Sequence, residues 1–177
     1  MYAEILKNRP LSGEFEEVNF GKSNHSLWVK FTDDEFIEWL GKFDIGWKNG
    51  FGIFEEKTNE PVILAGGILY KVDVKRRKLI FSTEENDIQG AIFYEKKDKI
   101  IANNDFKISI YSIDGKLEFS TERVSVGGII FDKIENEIVF GRLNDLPEQW
   151  NQFTFDVEKR KFNAKWWVLK DHWPSGT

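Results

Sequence analysis

The sequence predicts an all-β fold built from four repeats of about 40 residues, each a four-stranded antiparallel sheet. The first observation behind this prediction is a near-duplication: KLIFSTE at residues 78–84 and KLEFSTE at residues 116–122 match in six of seven positions. The second is the alternation of apolar and polar residues that extends outward from both copies, which is the period of a half-buried strand. The third is that further copies of both halves of the unit recur along the chain.

The second half of each repeat predicts a strand, a tight turn and another strand. Alternating apolar residues at Tyr70, Val72 and Val74 precede one turn, and Asp114-Gly115 is a two-residue hairpin signal at another. Four hairpins share one design, because the apolar residues flanking the turn are always four or five positions apart. These flanking pairs are Phe31 and Phe36, Val74 and Leu79, Ile113 and Leu117, and Val157 and Phe162.

The first half of the unit repeats with nearly the same period. Its copies, spaced by 38 or 39 residues, are GEFEE (13–17), GIFEE (52–56), AIFYE (91–95) and IIFDK (129–133). A charged turn and a second apolar run follow the later three copies: VILAG (62–66), KIIAN (99–103) and EIVFG (137–141). In the first repeat this second run is shortened to VNFG (18–21). The first repeat is therefore the most divergent.

Two segments of the first repeat fit the pattern less well. YAEIL (2–6) is expected to pair with the last repeat and so to protect the sheet edges. DDEFIEWLGKF (33–43) has the acidic start and the apolar spacing of a helix, but the repeat predicts a strand there. We expect a single domain, 1–177, with this set of repeats and tail: 2–43, 51–86, 90–124, 128–169 and 170–177.

Four strands per unit at this period resemble the blades of β-propellers. The resemblance covers nearly the whole chain and implies a four-bladed β-propeller-like ring of four-stranded antiparallel sheets. Because the signature residues of the tryptophan–aspartate and kelch repeats are missing, no named propeller family is assigned. An open stack or closed barrel of the same repeats, and a mixed fold, are the alternatives.

Composition narrows the classes of function. The chain has no cysteine, which excludes disulfides, thiolate nucleophiles and cysteine-ligated metals. Its net charge is −5, and its one basic cluster, residues 75–78, falls in a predicted hairpin turn, so we expect no nucleic-acid partner. No apolar run approaches the roughly 20 residues that span a bilayer, and the N-terminus lacks the pattern of a secretory signal. We therefore expect no membrane partner and a cytoplasmic protein.

The sequence offers no recognisable catalytic centre. Neither a Gly-x-Ser-x-Gly elbow nor a phosphate-binding P-loop is present. The two histidines, His25 and His172, have no second histidine at ligand spacing. The glycine pairs at 66–67 and 127–128 are interpreted as turn or bulge residues. We accordingly predict no catalytic residues, no metal and no cofactor.

The aromatic residues, 15% of the chain, are the strongest functional lead. Four of the seven tryptophans are predicted to lie in the core: Trp28, Trp39, Trp166 and Trp167. Trp47 lies in the linker after the first repeat, Trp150 in an apparent loop insertion at 142–152, and Trp173 in the tail. For these three, core and contact surface are both open, since exposed tryptophan dominates many protein interfaces.

By analogy with propellers generally, the loops at one end of the repeats form the binding face. The loop residues expected to meet there are mostly acidic or amide side chains with two tryptophans. They are Trp47, Lys48, Asn49, Glu84, Glu85, Asp87, Asn104, Asp105, Glu122, Asp145, Glu148 and Trp150. This composition favours docking against a basic protein surface.

The leading hypothesis is a non-enzymatic binding protein. Small, acidic and free of cysteine, the chain is similar in overall character to bacterial immunity proteins that neutralise toxins, including nucleases of contact-dependent growth inhibition systems. That resemblance implies a basic toxin domain as partner, and a chain that is a monomer or a heterodimer with its target. The alternatives are a carbohydrate-binding or glycan-processing propeller, with tryptophan stacking on sugar rings, and a scaffold for a homo-oligomer.

Overall fold

The computed structural model describes residues 1–11, 13–54, 58–94, 96, 98–146 and 149–164, with the backbone alone for residues 145 and 146. These residues form sixteen strands in four four-stranded sheets, which confirms the all-β class and the four sheets predicted from the sequence. The chain divides into two compact units, Met1–Gln89 and Gly90–Thr177, each holding two sheets. In the described part of the chain, no helix is long and apolar enough to cross a bilayer.

The second, third and fourth sheets are simple meanders in which each strand pairs antiparallel with the next. The second sheet contains β5 (Phe51–Phe54), β6 (Val62–Ala65), β7 (Ile68–Asp73) and β8 (Lys78–Ser82). The third contains β9 (Gly90–Tyr94), β10 (Lys99–Asn103), β11 (Ile108–Ser112) and β12 (Leu117–Ser120). The fourth contains β13 (Ile129–Glu135), β14 (Ile138–Leu146), β15 (Gln149–Asp156) and β16 (Lys161–Ala164). The predicted order of four strand types per repeat is confirmed in all three.

The first sheet departs from this order. Its strands are β1 (Tyr2–Ile5), β2 (Glu16–Asn19), β3 (Ser26–Thr32) and β4 (Glu38–Asp44), arranged β1-β3-β4-β2. The prediction that residues 2–6 pair with the last repeat is wrong, because β1 lies antiparallel to β3 in its own sheet, with Ala3 opposite Phe31. The prediction of two strands at 13–17 and 18–21 is also wrong. One strand, β2, spans the junction and runs parallel to β4.

The physical reason is that the shortened second run cannot supply a strand next to β3. The residues after β2 instead form a loop, in which the carboxylate of Asp44 accepts hydrogen bonds from the backbone N–H groups of Lys22 and Ser23 at 2.9 and 2.7 Å. The N-terminal strand β1 pairs with the free edge of β3 in place of the missing strand, and its Ala3 is buried in the core. The first sheet thereby reaches four strands with two antiparallel pairs and one parallel pair.

The segment with helical spacing forms a turn and a strand, as the repeat predicted. The side chain of Asp33 accepts the backbone N–H groups of Glu35 and Ile37, both at 2.9 Å, and Phe36 adopts a positive φ of 61°. That turn ends β3 and begins β4, so the apolar residues continue as a strand. Trp39 on β4 is fully buried and stacks on Phe31, with ring centroids 4.4 Å apart.

Each unit has its own core, formed where its two sheets pack face to face. In the first unit the core side chains come from both sheets: Val29, Phe31, Trp39, Phe43, Ile63, Tyr70, Val72 and Val74. In the second unit they are Ile101, Ile108, Ile110, Val139, Leu143, Phe153, Phe155 and Val157. The alternating apolar positions therefore point inward, as predicted, and Trp28 and Trp39 are buried. Trp166, Trp167, His172 and Trp173 lie outside the described residues.

The duplicated KLIFSTE motif has a structural explanation. In the second sheet, Thr83 Oγ1 accepts the N–H of Leu69 at 3.0 Å, and the N–H of Thr83 donates to the carbonyl of Leu69 at 2.9 Å. In the third sheet, Thr121 and Ile108 form the same pair of hydrogen bonds at the same distances. Both threonines are buried. The repeated threonine thus closes the hairpin where its last strand ends.

Replacing Thr83 by valine is expected to lower the free energy of unfolding by about 1–3 kcal/mol, because the buried N–H of Leu69 loses its acceptor while the side-chain shape is kept. Thr83→Ser retains the hydroxyl and should lose clearly less stability. Urea denaturation of the two variants and the wild type measures the difference. Equal midpoints for Thr83→Val and the wild type would show that the hydroxyl has no such role.

Residues 75–77 of the basic cluster lie in the β7–β8 hairpin turn, as predicted, and Lys78 begins β8. The side chain of Asp73 accepts the backbone N–H of Arg76 at 2.8 Å and pairs with its guanidinium at 3.1 Å. Arg77 has a positive φ of 54° and forms an ion pair with Glu16. Two of the four basic side chains, Arg76 and Arg77, are therefore paired with carboxylates.

Candidate functional site

Three loops of the first unit meet at one end of its sheets, and we call residues 45–50, 66–67 and 83–89 the first loop end. The N–H of Trp47 donates to the carbonyl of Asn86 at 2.9 Å, and the N–H of Lys48 donates to the carbonyl of Gly66 at 2.8 Å. The N–H of Ile88 donates to the carbonyl of Gly67 at 3.1 Å. These backbone hydrogen bonds join the two linkers to the β6–β7 turn. Predicted residues Trp47, Lys48, Asn49, Glu84, Glu85 and Asp87 are thereby brought together.

The close contact of the three loops depends on glycines. Gly66 and Gly67 form the β6–β7 turn with φ values of +57° and +114°. A Cβ on Gly67 would overlap the carbonyl oxygen of Asn86, and one on Gly46 would lie 2.6 Å from that same oxygen. Only a residue without a side chain fits at both places. The Gly66-Gly67 pair is thus a turn, as predicted. Gly67 also lets the 83–89 linker approach this turn, and Gly46 lets it approach the 45–50 linker.

Trp47 is a surface residue. Its side chain is 83% exposed, although its backbone is hydrogen-bonded within the first loop end. The neighbouring Glu84 and Glu85 are also exposed, and Asp87 is half-buried. Of the two possibilities open for Trp47, core or contact surface, the structure excludes the core. An apolar side chain on a fixed loop among carboxylates is available to a partner rather than to the core.

Beneath this end, a buried tyrosine anchors the base of the 45–50 linker. The hydroxyl of Tyr70 donates to the carbonyl of Asp44 at 3.2 Å. Burial, with a smaller contribution from the negative charge of Asp44, raises the pKa of Tyr70 to about 12. Tyr70 therefore stays a neutral hydrogen-bond donor at physiological pH and holds the start of the linker against the second sheet.

Loops of the second unit meet in the same way, and we call residues 104–107, 121–128, 144–146 and 149–150 the second loop end. The N–H of Gly128 donates to the carbonyl of Asp105 at 3.0 Å, and the N–H of Asn144 donates to the carbonyl of Gly128 at 2.9 Å. The fully buried hydroxyl of Ser125 bonds to the carbonyls of Gly128 and Asn144. Predicted residues Asn104, Asp105, Glu122 and Trp150 lie in this group.

The segment 142–152 is longer than the matching part of the second and third repeats, as the sequence predicted, but its described residues are strands and not a loop. Residues 142–146 extend β14 and residues 149–152 extend β15, with Asn144 paired with Trp150 and Arg142 with Gln152. Asp145 lies on β14, its side chain not being described, and Glu148 lies outside the described residues. Trp150 is therefore a strand residue. It is 44% exposed, and its ring packs on Gly128, where an added Cβ would lie 3.2 Å from Cη2.

The charge of the second loop end is mixed. Arg123 donates to the carbonyls of Ser125 and Val126 at 3.0 and 3.1 Å, and its guanidinium lies 4.2 Å from the ring centre of Phe106. It therefore places a fixed cation next to the exposed Glu122. In the first loop end, three carboxylates stand against the single ammonium of Lys48. The second loop end has three carboxylates, Asp105, Glu122 and Asp145, against Lys107 and Arg123, a formal charge of −1 compared with −2 for the first loop end. The first loop end is therefore the more acidic of the two, and each end contains one of the two tryptophans predicted for the face.

A groove on the fourth sheet was missed by the sequence analysis. It has a volume of about 610 Å³ and is lined by Asp132, Lys133, Phe140, Gly141, Trp150, Asn151, Gln152, Phe153, Thr154, Asn163 and Ala164. The sequence pattern that could have revealed the groove is on β15, in the residues that point away from the core. Trp150, Gln152 and Thr154 alternate with the core residues Phe153 and Phe155, so they share the outward face. Within the described ranges, no three Asp, Glu or His side chains are placed to hold a metal ion.

Comparison with known proteins supports the fold and gives no function. No family model and no curated protein matches the chain. The crystal structure of the computationally designed Ika4 protein is similar with a TM-score of 0.50, at 15% identity over 68% of this chain and 74% of that one. The computationally designed Ika8 protein is similar with a TM-score of 0.52, at 13% identity over 80% of this chain. The chain spans 46% of Ika8, about half its length. At these identities the likeness concerns the β-sheet fold alone.

Proposed function

We propose that the chain is a non-enzymatic binding protein that docks a basic protein partner through the first loop end. The observation that carries this proposal is Trp47, which is 83% exposed on a backbone-bonded loop beside Glu84 and Glu85. Removing an exposed indole from water is favourable and stabilises a complex, and tryptophan is enriched among the residues that dominate interfaces.

The rigidity of the first loop end supports this function. Hydrogen bonds from Trp47, Lys48 and Ile88 fix the three loops to one another before any partner arrives. Binding costs less conformational entropy when the contact residues are already ordered. A partner can therefore use most of the free energy gained by burying the indole.

The charge of the first loop end supports a basic partner. Glu84, Glu85 and Asp87 exceed Lys48 by two negative charges, and the whole chain carries −5. Complementary charge speeds encounter and excludes acidic competitors more than it raises affinity. A basic surface meeting this end would be steered toward Trp47.

The partner class that best fits these features is a basic toxin domain. A nuclease binds RNA or DNA phosphates in a basic cleft, and an acidic loop end can occupy such a cleft in their place. The proposal is therefore a cytoplasmic immunity protein that neutralises a cognate toxin, of the kind delivered in contact-dependent growth inhibition. What supports it is the acidic balance, the tryptophan-bearing loops and the small cysteine-free chain.

Charge reversal tests the electrostatic part of the proposal. The double variant Glu84→Lys/Glu85→Lys is expected to associate with the captured partner about tenfold more slowly at low salt, with a flatter dependence on NaCl concentration. The matched control, Glu4→Lys/Glu14→Lys, makes the same change in net charge at exposed positions outside the first loop end. Its association rate should change by less than about threefold, as measured by surface plasmon resonance at several salt concentrations. Equal slowing in both doubles would contradict a localised acidic site.

A further inference from the structure

We propose that the groove on the fourth sheet, in the second unit, binds a neutral oligosaccharide. The groove is a separate site from the first loop end and does not depend on the proposed protein partner. Its volume of about 610 Å³ lies within the roughly 300–1,000 Å³ of small-molecule sites. Its lining combines aromatic rings with amide and hydroxyl side chains on the outward face of three neighbouring strands.

Trp150 provides an aromatic surface for a sugar ring. The sheet fixes its backbone opposite Asn144, and Gly128 supports one edge of its ring. With 44% of the side chain exposed, part of the indole remains open to a ligand. The C–H groups on one face of a pyranose carry partial positive charge, which suits the negative face of an indole. Phe140, half-buried on β14, extends this apolar floor.

Polar side chains surround the aromatic floor and are available for hydroxyl groups. Gln152 and Thr154 follow Trp150 on the same face of β15, and Asn163 on β16 lies opposite Thr154. Within the described residues, the side chains of Gln152, Thr154 and Asn163 have no hydrogen-bond partner. Each amide supplies both donors and acceptors, as the hydroxyl groups of a sugar require.

The charges of the groove are already paired, which favours a neutral ligand. Asp132 lies 3.0 Å from the guanidinium of Arg142. Lys133 lies 2.9 Å from Glu135, and its ammonium is 5.5 Å from the ring centre of Phe140. A phosphate would have to displace Glu135 from Lys133, and a basic peptide would have to displace Arg142 from Asp132, whereas an uncharged ligand leaves both pairs intact. Uncharged hydroxyl groups are the chemistry that matches the remaining side chains.

Isothermal titration of the full chain with cellopentaose, chitopentaose, maltopentaose and xylopentaose tests the proposal. We expect saturable binding of at least one of them, with little dependence on NaCl concentration. Trp150→Ala should weaken that binding at least tenfold, whereas Trp47→Ala should leave it unchanged within about twofold. Gln152→Ala/Asn163→Ala, which changes only exposed side chains, should weaken it at least fivefold and so tests the groove independently of Trp150.

Three outcomes would overturn the proposal. The first is the lack of saturable binding to all four oligosaccharides. The second is wild-type affinity in Trp150→Ala, which would place any sugar elsewhere. The third is a protein ligand whose capture depends on Trp150 rather than Trp47, because the groove would then be a protein-binding surface. The sugar-binding result does not depend on whether the chain binds a toxin, because Trp150→Ala tests the groove and Trp47→Ala tests the first loop end.

Discussion

Trp47→Ala is expected to weaken binding of the protein partner by about 2–4 kcal/mol, or roughly 30- to 1,000-fold in Kd. The reason is that the indole is 83% exposed in the free protein and its backbone is fixed to the 83–89 linker. Truncation removes most of the apolar area that the first loop end can offer and leaves its hydrogen bonds intact. The loss should appear mainly as faster dissociation, because charge steering by Glu84 and Glu85 is unchanged.

Phe36→Ala is the matched control for this prediction. Phe36 is 86% exposed in the β3–β4 turn, at the opposite end of β4 from Trp47. The Phe36→Ala variant loses an aromatic side chain from the same unit, and its affinity for the protein partner should stay within about twofold of the wild type. Surface plasmon resonance with the captured partner measures both variants. A similar loss in the two variants would mean that exposed aromatic area in general, and not the first loop end, governs binding.

Gly67→Ala is expected to lower the free energy of unfolding by about 3 kcal/mol or more, the largest effect on stability predicted for the chain. Two costs add. The φ of +114° is unfavourable for a residue with a Cβ, at about 1–2 kcal/mol, and the new methyl overlaps the backbone of Asn86. Overpacking against a fixed backbone adds roughly 1–3 kcal/mol. Separation of the loops should also weaken partner binding.

Gly13→Ala separates the two costs. Gly13 also has a positive φ, +85°, but an added Cβ would meet no atom within 4 Å. Alanine there should cost only about 1–2 kcal/mol, from the backbone conformation alone. Urea denaturation of both variants gives the comparison. If Gly67→Ala were no less stable than Gly13→Ala, the close approach of the 83–89 linker to the turn would not matter for folding.

The repeat itself was predictable because each meander keeps its strands next to one another in the sequence. Alternation identifies a strand locally, and a tight turn forces it to pair with the next one. The buried hydroxyls of Thr83 and Thr121 explain why the motif is conserved between the two copies. Where consecutive strands pair with each other, identifying the strands from the sequence pattern is enough to predict their pairing.

The arrangement of the first sheet was not predictable in this way. Strands β1 and β2 have four residues each, and local alternation does not say which strand a separate segment joins. To predict that β1 pairs with β3 and not with the last repeat, one must know that the second run of the first repeat does not form a strand beside β3. That run is followed by a loop whose backbone at Lys22 and Ser23 is hydrogen-bonded by the distant Asp44, a contact that the sequence does not reveal.

The two candidate sites differ for the same reason. The position of Trp47 in a linker made it a plausible surface residue from the sequence alone, and the structure shows it exposed. The groove joins Phe140, Thr154 and Asn163 from three strands, and only their cross-strand register brings them together. The outward residues at 142–152 are mostly polar, so this part of the hairpin resembled a loop.

Capture from the source cells with three tagged baits, the wild type, Trp47→Ala and Phe36→Ala, tests the central claim most directly. Mass spectrometry identifies the retained proteins and their amounts. The account predicts a basic protein retained in a near one-to-one ratio by the wild type and Phe36→Ala, and lost from Trp47→Ala. Equal retention by all three baits, or no protein retained by the wild type, would contradict the assignment of the first loop end as a protein-binding site.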